Sequence, residues 1–431
     1  MPMWPAELTA QRTDGAREWL ICALALFVFL GACRSDPNVE TLGDWLRHLN
    51  NLENVDQEVL ARIEASGGTP IVSGEKTLFL AQSNGNDEPR IIGDFNQGGS
   101  TSSEFVGNGT MHQIANSSWY GLEARLPSDA YIGYQVQHGR AAAADPLNPK
   151  SVRTFGAVRS VVEGRLARRS LRSTASIPQG SFDQFVVASR FRGNERRVSV
   201  YLPLGYRSEG PRLPTIYVKD GTRFRSEGEL PAILDAAIAD GYIAPVILVF
   251  VDPVNRGLEY GTATAYRRFI AEELVPEVER RYATGGAPER RALLGASRGG
   301  LAVIDLGVQH SELFGFTAAM SPALRPLPII DAIEERSQVE GHFLVMVSRF
   351  DSPELVDDGE QLIHVLEGRA DRVIPVFMPI DHSIHGWKRW LDVVLIEWGK
   401  YMHAGDEAQA RSSRKGAKGM EVVPGRLRDA S

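Results

Sequence analysis

Residues 291–304 read RALLGASRGGLAVI and combine a strand-like run, a glycine-rich turn and the beginning of a helix. The first part, Arg291–Gly295, is an apolar run of the strand type, and Gly300–Ile304 begins a helix. Between them, residues 295–299 form the pattern G-x-S-x-G, whose glycines permit a tight turn and a close approach of neighbouring backbone. A strand that turns sharply into a helix predicts an α/β sheet with helices packed on its faces.

Strand-like and helix-like segments alternate along the chain around that turn. Runs of the strand type lie at Val198–Leu202, Pro214–Val218, Pro245–Val251 and Arg291–Gly295. The last two are nearly continuous apolar runs, as expected of strands that helices cover on both faces. Residues 266–281 place apolar side chains three and four positions apart, which predicts a helix between these strands. The alternation predicts an α/β domain over residues 183–403.

The preceding part of the chain has a different pattern. Short β-type runs, separated by clusters of Gly, Asn, Ser and Asp, fill residues 67–150 and predict a small β-sandwich. An amphipathic stripe predicts helices over residues 41–66. Residues 151–182 are rich in Arg, Ser and Gly without a sustained pattern, and we interpret them as a linker. Residues 404–431 have little apolar content, so we expect a disordered tail.

An uncharged apolar run, Trp19–Ala32, lies close to the start of the chain. It is shorter than the roughly 20 residues of a membrane-spanning helix, and its length is typical of the apolar core of a signal peptide. The run ends in LGAC at 30–33, which resembles the lipobox of bacterial lipoproteins. The resemblance implies removal of residues 1–32 and lipidation of Cys33.

We therefore expect an exported lipoprotein that is anchored in the membrane and faces the periplasm or the cell surface. An ordinary secretory signal and a buried N-terminal helix are the alternatives. The segment before the apolar run carries acidic as well as basic residues, rather than the clear positive charge of a typical signal peptide.

Composition places the chain among ordinary globular proteins. Of 431 residues, 47 are Lys or Arg and 54 are Asp or Glu, which gives a formal net charge of −7. This balance offers no basic stripe, so we do not expect nucleic acid as a partner. Neither cysteine, Cys22 or Cys33, lies in a predicted domain, which argues against a disulfide framework or a thiolate metal site there. Because no metal-ligand spacing and no Gly-rich nucleotide loop occurs, we expect neither a metal nor a cofactor.

Ser297 stands at the tip of the predicted turn, where a serine hydroxyl is exposed for nucleophilic attack. The alternative is a turn whose serine only caps the following helix. A serine nucleophile needs a base, and histidine has a suitable pKa. His382 and His385 both follow the predicted strand Val373–Met378, as expected of a catalytic loop. We favour His385 because it directly precedes the predicted helix Trp387–Trp398, and His382 is the alternative.

A third residue has to orient the imidazole and stabilise its protonated form. Three carboxylates follow the predicted strand Phe343–Val347, in the loop SRFDSPELVDD. We favour Asp351 because it is closest to the end of the strand, where its position varies least. Asp357 and Asp358 stand before the predicted helix Glu360–Leu366, so capping of the helix N-terminus explains them without catalysis.

Two backbone N–H groups are expected to stabilise the negative charge that develops on a substrate oxygen. The N–H of Arg298 follows the serine, and the N–H of Thr222 follows the Gly-containing turn after the strand Pro214–Val218. The second turn also has a purely structural interpretation. Arg256 follows another strand at the carboxyl edge, where open α/β sheets bind ligands. It is a candidate for substrate binding, with an ion pair to Glu259 as the structural alternative.

Four segments of residues 183–402 carry a resemblance to a known family: IYVKDGTRF, VDPVNRGLEYG, LLGASRGG and HGWKRW. Together they resemble the bacterial putative-esterase family, which includes enterochelin esterases, esterase D and mycolyltransferases. The resemblance implies an α/β-hydrolase fold and a serine esterase that acts on small-molecule esters. It agrees with Ser297, His385 and Asp351 as the catalytic triad.

The N-terminal part resembles one branch of that family. GDFN at 93–96, WYGLE at 119–123 and DPLNP at 145–149 are similar to the immunoglobulin-like domain that precedes the catalytic domain of enterochelin-esterase-type proteins. Those enzymes hydrolyse the ester bonds of catecholate trilactone siderophores, and GDFN also occurs in carbohydrate-associated sandwiches. The resemblance therefore implies siderophore trilactones or glycan esters as substrates.

These observations predict an immunoglobulin-like β-sandwich followed by an α/β-hydrolase domain. The expected function is that of a serine carboxylic-ester hydrolase of the cell envelope. This location departs from that of enterochelin esterases, which usually act in the cytoplasm. The competing class is a non-catalytic envelope protein that keeps the esterase fold for binding.

Overall fold

A computed structural model describes the greater part of the chain. It covers residues 45, 48–49, 53–83, 85, 87–100, 102–154, 156–171, 177–261, 264–325 and 328–418, with the side chains of the last helix as far as residue 404. The predicted signal segment 1–32 and the predicted lipidation residue Cys33 lie outside the described residues. Within those ranges, no helix combines the length and the apolar composition needed to cross a membrane.

The N-terminal domain begins with helix α1, Val55–Ala65, which lies in the segment predicted to be helical. Its strands, in chain order, are β1 (Ile71–Ser73), β2 (Lys76–Gln82), β3 (Arg90–Ile92), β4 (His112–Gln113), β5 (Trp119–Arg125), β6 (Tyr131–His138), β7 (Ala141–Ala143), β8 (Ser151–Thr154) and β9 (Ala157–Glu163). One antiparallel sheet has the order β1-β2-β5-β4, and the other has the order β3-β6-β9-β8 with β7 against β6. Phe79, Ile132 and Tyr134 belong to the core between the sheets. The predicted β-sandwich is confirmed.

The sandwich extends beyond residue 150 into the segment 151–182, which the sequence predicted as a linker. β8 and β9 lie in that segment, and β9 pairs with the central strand β6. The sequence showed no sustained strand pattern here because arginines interrupt it. The fold accommodates these arginines through polar partners, as the ion pair of Arg159 on β9 with Asp94 shows. The predicted domain boundary is therefore corrected to the end of β9.

The second domain is built on a single eight-stranded sheet. Its strands are β10 (Ser181–Ser189), β11 (Asn194–Leu202), β12 (Thr215–Lys219), β13 (Ile247–Val251), β14 (Arg291–Ala296), β15 (Phe316–Met320), β16 (Val339–Ser348) and β17 (Ala370–Met378). They lie in the order β10-β11-β13-β12-β14-β15-β16-β17, with β11 antiparallel to both of its neighbours and the remaining pairs parallel. The strand order reverses at β12, and the carboxyl ends next to such a reversal form a binding crevice.

Helices cover both faces of this sheet. They are α2 (Gly221–Ser226), α3 (Leu230–Ala239), α4 (Arg256–Glu259), α5 (Thr264–Arg268), α6 (Val275–Arg281), α7 (Arg298–Gln309), α8 (Ile329–Glu334), α9 (Pro353–Glu367), α10 (Ile384–Trp387) and α11 (Leu391–Lys418). A π-helical segment, Phe269–Leu274, joins α5 to α6. Side chains of α5 to α9 form the apolar layer on one face, and those of α2, α3, α10 and α11 form the layer on the other. The α/β prediction is confirmed.

Helix α11 continues as far as Lys418, into the segment 404–431 for which the sequence predicted disorder. The helix is fixed at its beginning by buried apolar residues, among them Leu391 and Trp398. The following residues are mostly Ala, Glu, Gln, Arg and Lys, which favour a helix even where few of them are apolar. Residues 419–431 lie outside the described part of the chain.

The sandwich holds two loops of the second domain. Phe350, which follows β16, is buried in the sandwich core, and its ring centroid lies 4.3 Å from that of Phe105. In β6, the N–H of Gly133 donates to Oδ2 of Asp381 at 2.8 Å, and Asp381 follows β17. The positions of the residues after β16 and β17 therefore depend on the packing of the sandwich against the sheet.

Replacing Phe350 by alanine should destabilise the protein strongly. Removing a buried phenylalanine costs about 3–5 kcal/mol of the free energy of unfolding, because contacts are lost and a cavity remains. Phe377→Ala is the matched control, since Phe377 lies on β17 but its side chain is 47% exposed. Urea unfolding of both variants measures the difference. Equal losses of stability would show that Phe350 does not join the loop to the sandwich core.

Candidate active site

Ser297 lies between β14 and α7 with φ at 57° and ψ at −127°. Positive φ is uncommon for a residue with a side chain, and such strain concentrates at functional sites. The two motif glycines permit the turn, because a Cβ at Gly295 would overlap the carbonyl oxygen of Gly299, and a Cβ at Gly299 would lie 2.9 Å from Oδ2 of Asp220. The N–H of Ser297 donates to the carbonyl oxygen of Met320 at 2.9 Å, which holds the turn against the neighbouring strand.

Asp351 and His382 form a hydrogen-bonded pair at the same edge of the sheet. They follow the neighbouring strands β16 and β17, and Nδ1 of His382 donates to Oδ2 of Asp351 at 2.6 Å. The other carboxylate oxygen accepts the N–H of Ser352 at 2.9 Å. Because Nδ1 donates, Nε2 of the neutral imidazole is the atom that can accept a proton. The Asp351 side chain is only 3% exposed and that of His382 14%, so water has little access to the pair.

The structure does not bring His385, the favoured candidate from the sequence, to Asp351. His385 lies within α10, and its Nε2 is 3.0 Å from the carbonyl oxygen of Arg153 on β8. A carbonyl oxygen only accepts, so Nε2 of His385 donates and takes part in the contact between the two domains. The geometry replaces His385 by His382 as the candidate base.

Carboxylates around His382 determine its protonation. Burial alone lowers the pKa of His382, but the charge and hydrogen bond of Asp351, together with the charges of Asp94 and Asp381, outweigh burial and leave the pKa raised. Burial and then the charge of Asp94 raise the pKa of Asp381 to about 6, although Asp381 accepts a hydrogen bond from Oγ of Ser383 at 2.6 Å. The imidazole thus lies in a site that favours its positive form.

The two carboxylates that the sequence assigned to capping a helix N-terminus lie elsewhere in the structure. Asp357 and Asp358 lie inside α9, which begins at Pro353, so the predicted capping role is wrong. Asp358 is buried and accepts a hydrogen bond from Nε of Arg325 at 2.7 Å, which gives it a structural partner. Of the three candidate acids, the structure pairs Asp351 with a histidine.

The predicted oxyanion donors differ in their surroundings. Arg298 is the first residue of α7, so its N–H is among the N-terminal donors that have no acceptor within their own helix. The N–H of Thr222 donates to Oδ1 of Asp252 at 2.9 Å, and its hydroxyl donates to Oδ2 at 2.5 Å. Asp252, in a neighbouring loop, thus caps the N-terminus of α2. Asp220, the residue before this helix, forms no side-chain cap. The second predicted donor is thus bonded to a carboxylate.

Arg256 fixes the turn after β12. Its Nε and Nη2 donate to the two carboxylate oxygens of Asp220 at 2.9 and 2.8 Å, and Nη2 also lies 3.4 Å from the carbonyl oxygen of Ala296. The alternative ion pair to Glu259 is wrong, because Glu259 binds Arg196 through two hydrogen bonds. Because the guanidinium of Arg256 is hydrogen-bonded within the protein, we assign it to positioning the turn after β12 rather than to the predicted contact with substrate.

A cavity of about 250 Å³ lies beside the Asp351–His382 pair. Residues of the sandwich, among them Asp94 and Arg159, form one wall, and α9 contributes Leu355 to the other. The sequence did not identify the sandwich residues as part of a site, since no known catalytic spacing includes them. The sequence did contain a signal for His382. This residue lies four positions after the end of β17, and closeness to a strand end is the criterion that selected Asp351.

An eight-stranded sheet of this order, with a serine on a strained strand–helix turn and a His–Asp pair at the same edge, defines the α/β-hydrolase class. The model of the putative esterase family matches residues 189–362. The match thus lies within the α/β domain and includes Ser297 and Asp351.

Two curated relatives have related sequences. The chain is 28% identical over 159 residues to an endo-1,4-beta-xylanase/feruloyl esterase of Xylanibacter ruminicola, covering 34% of this chain and 22% of the relative. It is 29% identical over 157 residues to an iron(III) enterobactin esterase of Dickeya dadantii, covering 35% of this chain and 36% of the relative. The chain thus spans well under half the length of either protein.

Solved structures with the same fold cover both domains. The ferric enterobactin esterase of Salmonella typhimurium superimposes with a TM-score of 0.64 at 16% identity, over 80% of this chain and 99% of that one. The enterobactin esterase of Shigella flexneri gives a TM-score of 0.62 at 15% identity, over 79% of this chain and 98% of that one. At these identities the likeness shows that the two-domain fold is shared.

The imidazole of His382 should titrate above the ordinary histidine pKa of about 6.5, because the negative charge of Asp351 stabilises its protonated form. Asp351→Asn removes that charge while burial remains, so the pKa of His382 should fall. Titration of ¹⁵N-labelled imidazoles by NMR measures both values. Asp357→Asn removes an exposed carboxylate of the same loop-and-helix segment and should leave the pKa in place. An unchanged pKa in Asp351→Asn would contradict the pairing.

Proposed function

We propose that this protein is a serine carboxylic-ester hydrolase with Ser297 as nucleophile, His382 as general base and Asp351 as the acid that orients His382. The observation that carries the proposal is the 2.6 Å hydrogen bond between Asp351 and His382, at the sheet edge that also bears the strained turn of Ser297. The three residues follow β14, β16 and β17 in the chain order Ser, Asp, His, which is that of α/β-hydrolases.

The proposed reaction has two stages. Oγ of Ser297 attacks the ester carbonyl carbon while Nε2 of His382 takes the hydroxyl proton, and Asp351 stabilises the imidazolium without taking that proton. The tetrahedral intermediate then expels the alcohol, which receives the proton from His382, and an acyl group remains on Ser297. Water, deprotonated by His382, attacks the acyl carbon, and His382 returns that proton to Oγ of Ser297 as the bond to the serine breaks and the carboxylic acid leaves.

Backbone donors stabilise the negative oxygen of each tetrahedral intermediate. We assign the N–H of Arg298 to this role, because it follows the nucleophile at the beginning of α7. The N–H of Thr222, the second predicted donor, is bonded to Asp252 in this structure and reaches a substrate oxygen only if that hydrogen bond is broken. Each such donor is worth on the order of 10²–10³ in rate.

The proposed substrate is a small-molecule ester, with siderophore trilactones and glycan esters as the specific candidates. The names of the two relatives, a feruloyl esterase and an enterobactin esterase, support an ester of this kind. The cavity next to His382 agrees with a compact substrate group rather than with a polymer segment.

A fluorophosphonate probe should label the full-length protein, and Ser297→Ala should abolish the labelling because the probe reacts with an activated serine. His382→Ala should abolish hydrolysis of 4-nitrophenyl acetate and slow the labelling, since the serine then lacks its base. His385→Ala is the matched control and should retain most of both, because this residue bonds to the backbone of Arg153. Labelling by gel fluorescence and initial rates measure the two effects.

If His385→Ala abolished hydrolysis while His382→Ala retained it, the base would be assigned to His385. A folded wild-type protein that neither reacts with the probe nor hydrolyses any ester would contradict the enzyme proposal and favour the non-catalytic binding protein. Circular dichroism and the melting temperature of each variant establish that it is folded.

We also propose that the protein is an exported lipoprotein of the cell envelope, anchored at Cys33. The apolar run Trp19–Ala32 and the LGAC pattern support this location. Cells that express the protein in the presence of an alkyne-labelled fatty acid should incorporate the label, and Cys33→Ser should lose both the label and membrane association. Cys22→Ser is the control and should retain them. A Cys33→Ser variant that remains labelled would contradict the proposal.

A further inference from the structure

A buried group of hydrogen-bonded side chains lies at the carboxyl edge of the sheet, and the proposed reaction gives it no role. It consists of Ser321 after β15, Ser348 at the end of β16 and Trp387 at the end of α10. These residues are 2%, 0% and 4% exposed, so they are closed to solvent. Because buried polar groups are costly unless they are paired, their pairing determines how the side chains are arranged.

The direction of each hydrogen bond in this group follows from the chemistry of the side chains. Nε1 of Trp387 can only donate, and it lies 3.2 Å from Oγ of Ser321. The hydroxyl of Ser321 therefore accepts from the indole and donates its own proton to Oγ of Ser348 at 2.6 Å. The hydroxyl of Ser321 is thus the central member, bonded to both of the others.

The backbone of Ser321 is held in an unusual conformation. Its φ is 43°, which is uncommon for a residue with a side chain, and its N–H donates to the carbonyl oxygen of Met346 at 2.6 Å. A conformation of this kind persists only where the surroundings fix it, and it concentrates at functional sites. The position of the Ser321 hydroxyl is therefore determined by the sheet edge.

The segment that carries Ser321 also fixes the turn of Ser297. The N–H of Ser297 donates to the carbonyl oxygen of Met320 at 2.9 Å, and the N–H of Ala323 donates to the carbonyl oxygen of Ser297 at 3.0 Å. The backbone of Ser297 is thus bonded to the chain before and after Ser321. A displacement of Ser321 would be transmitted to the turn of the proposed nucleophile.

The indole of Trp387 packs against the imidazole of His382. The ring centroids are 4.9 Å apart and the ring planes are at 80°, which is an edge-to-face arrangement. The hydrogen bond from Nδ1 to Asp351 leaves the imidazole free to tilt about that bond, so it does not by itself determine where Nε2 points. The indole restricts this tilt, and Ser321 in turn holds the indole.

We propose that Ser321 and Trp387 are positioning residues that hold the nucleophile and the base of the triad relative to each other. Ser321 lies in the segment that fixes the turn of Ser297, and its hydroxyl fixes the indole, which fixes the tilt of the imidazole. The inference rests on the proposed esterase function and adds two residues that act through Ser297 and His382. A displacement of about 1 Å between reacting groups can cost on the order of 10² in rate, so a small movement of the indole is measurable.

Ser321→Ala and Trp387→Phe each remove the hydrogen bond between these two side chains, and the second variant keeps an aromatic ring. Each should lower kcat for 4-nitrophenyl acetate about tenfold with little change in KM, because the geometry of attack changes and ester binding does not. The double variant should lose no more than the more affected single variant, since both substitutions remove the same hydrogen bond. Initial rates over a range of ester concentrations measure both constants.

A second measurement separates positioning from a general loss of stability. The ring current of Trp387 displaces the Hε1 resonance of His382, so Ser321→Ala should move this resonance in NMR spectra of the labelled protein. Ser321→Gly removes the same hydroxyl, but glycine adopts the positive φ of this position without strain. It should therefore have a higher Tm than Ser321→Ala and a comparable loss of kcat.

Ser117→Ala is the matched control, because it removes a buried serine hydroxyl that accepts the N–H of Trp119 at 3.1 Å in the sandwich. It should lower the Tm and leave both kcat and the His382 resonance unchanged. The inference is overturned by wild-type kcat in Ser321→Ala and Trp387→Phe, by an unmoved His382 resonance in Ser321→Ala, or by an equal loss of kcat in Ser117→Ala. A folded wild-type protein that hydrolyses no ester would instead overturn the esterase function.

Discussion

The junction between the sandwich and the α/β sheet governs the geometry of the candidate site. Phe350, buried in the sandwich core, directly precedes Asp351, and Asp381, bonded to the N–H of Gly133, directly precedes His382. Each half of the Asp351–His382 pair is thus one residue from an anchor in the other domain. Loops that follow strands are ordinarily mobile surface segments, so these anchors provide the rigidity that a 2.6 Å hydrogen bond between two loops requires.

The same junction determines the charge around His382, the candidate base. Asp381 is buried at the domain contact, and the nearby Asp94 comes from the sandwich, so both domains contribute negative charge to the surroundings of His382. Arg159 compensates part of that charge through its ion pair with Asp94. In a site with little water such charges act strongly, which favours the imidazolium form of His382.

The serine side of the site depends on a second set of contacts, made within the α/β domain. Asp220 has φ at 52° and Ser297 has φ at 57°, and backbone strain of this kind costs about 1–3 kcal/mol at each position. The two hydrogen bonds from Arg256 to Asp220 and the close fit of Gly299 against that carboxylate hold the two turns together. The strain therefore persists because neighbouring loops leave the turns no relaxed alternative.

Local patterns were enough to predict the α/β sheet, the turn of Ser297 and Asp351 as the candidate acid, because apolar runs, glycine spacing and distance from a strand end can all be read along the chain. The sequence favoured His385 as the candidate base, whereas the structure pairs His382 with Asp351, because a helix boundary indicates position along the chain but not the direction of a side chain. Local patterns did not predict the partners of Arg256 or the strands within 151–182, since these depend on residues far away in the chain. Residues of both domains line the cavity beside His382, and no local pattern records such a contact.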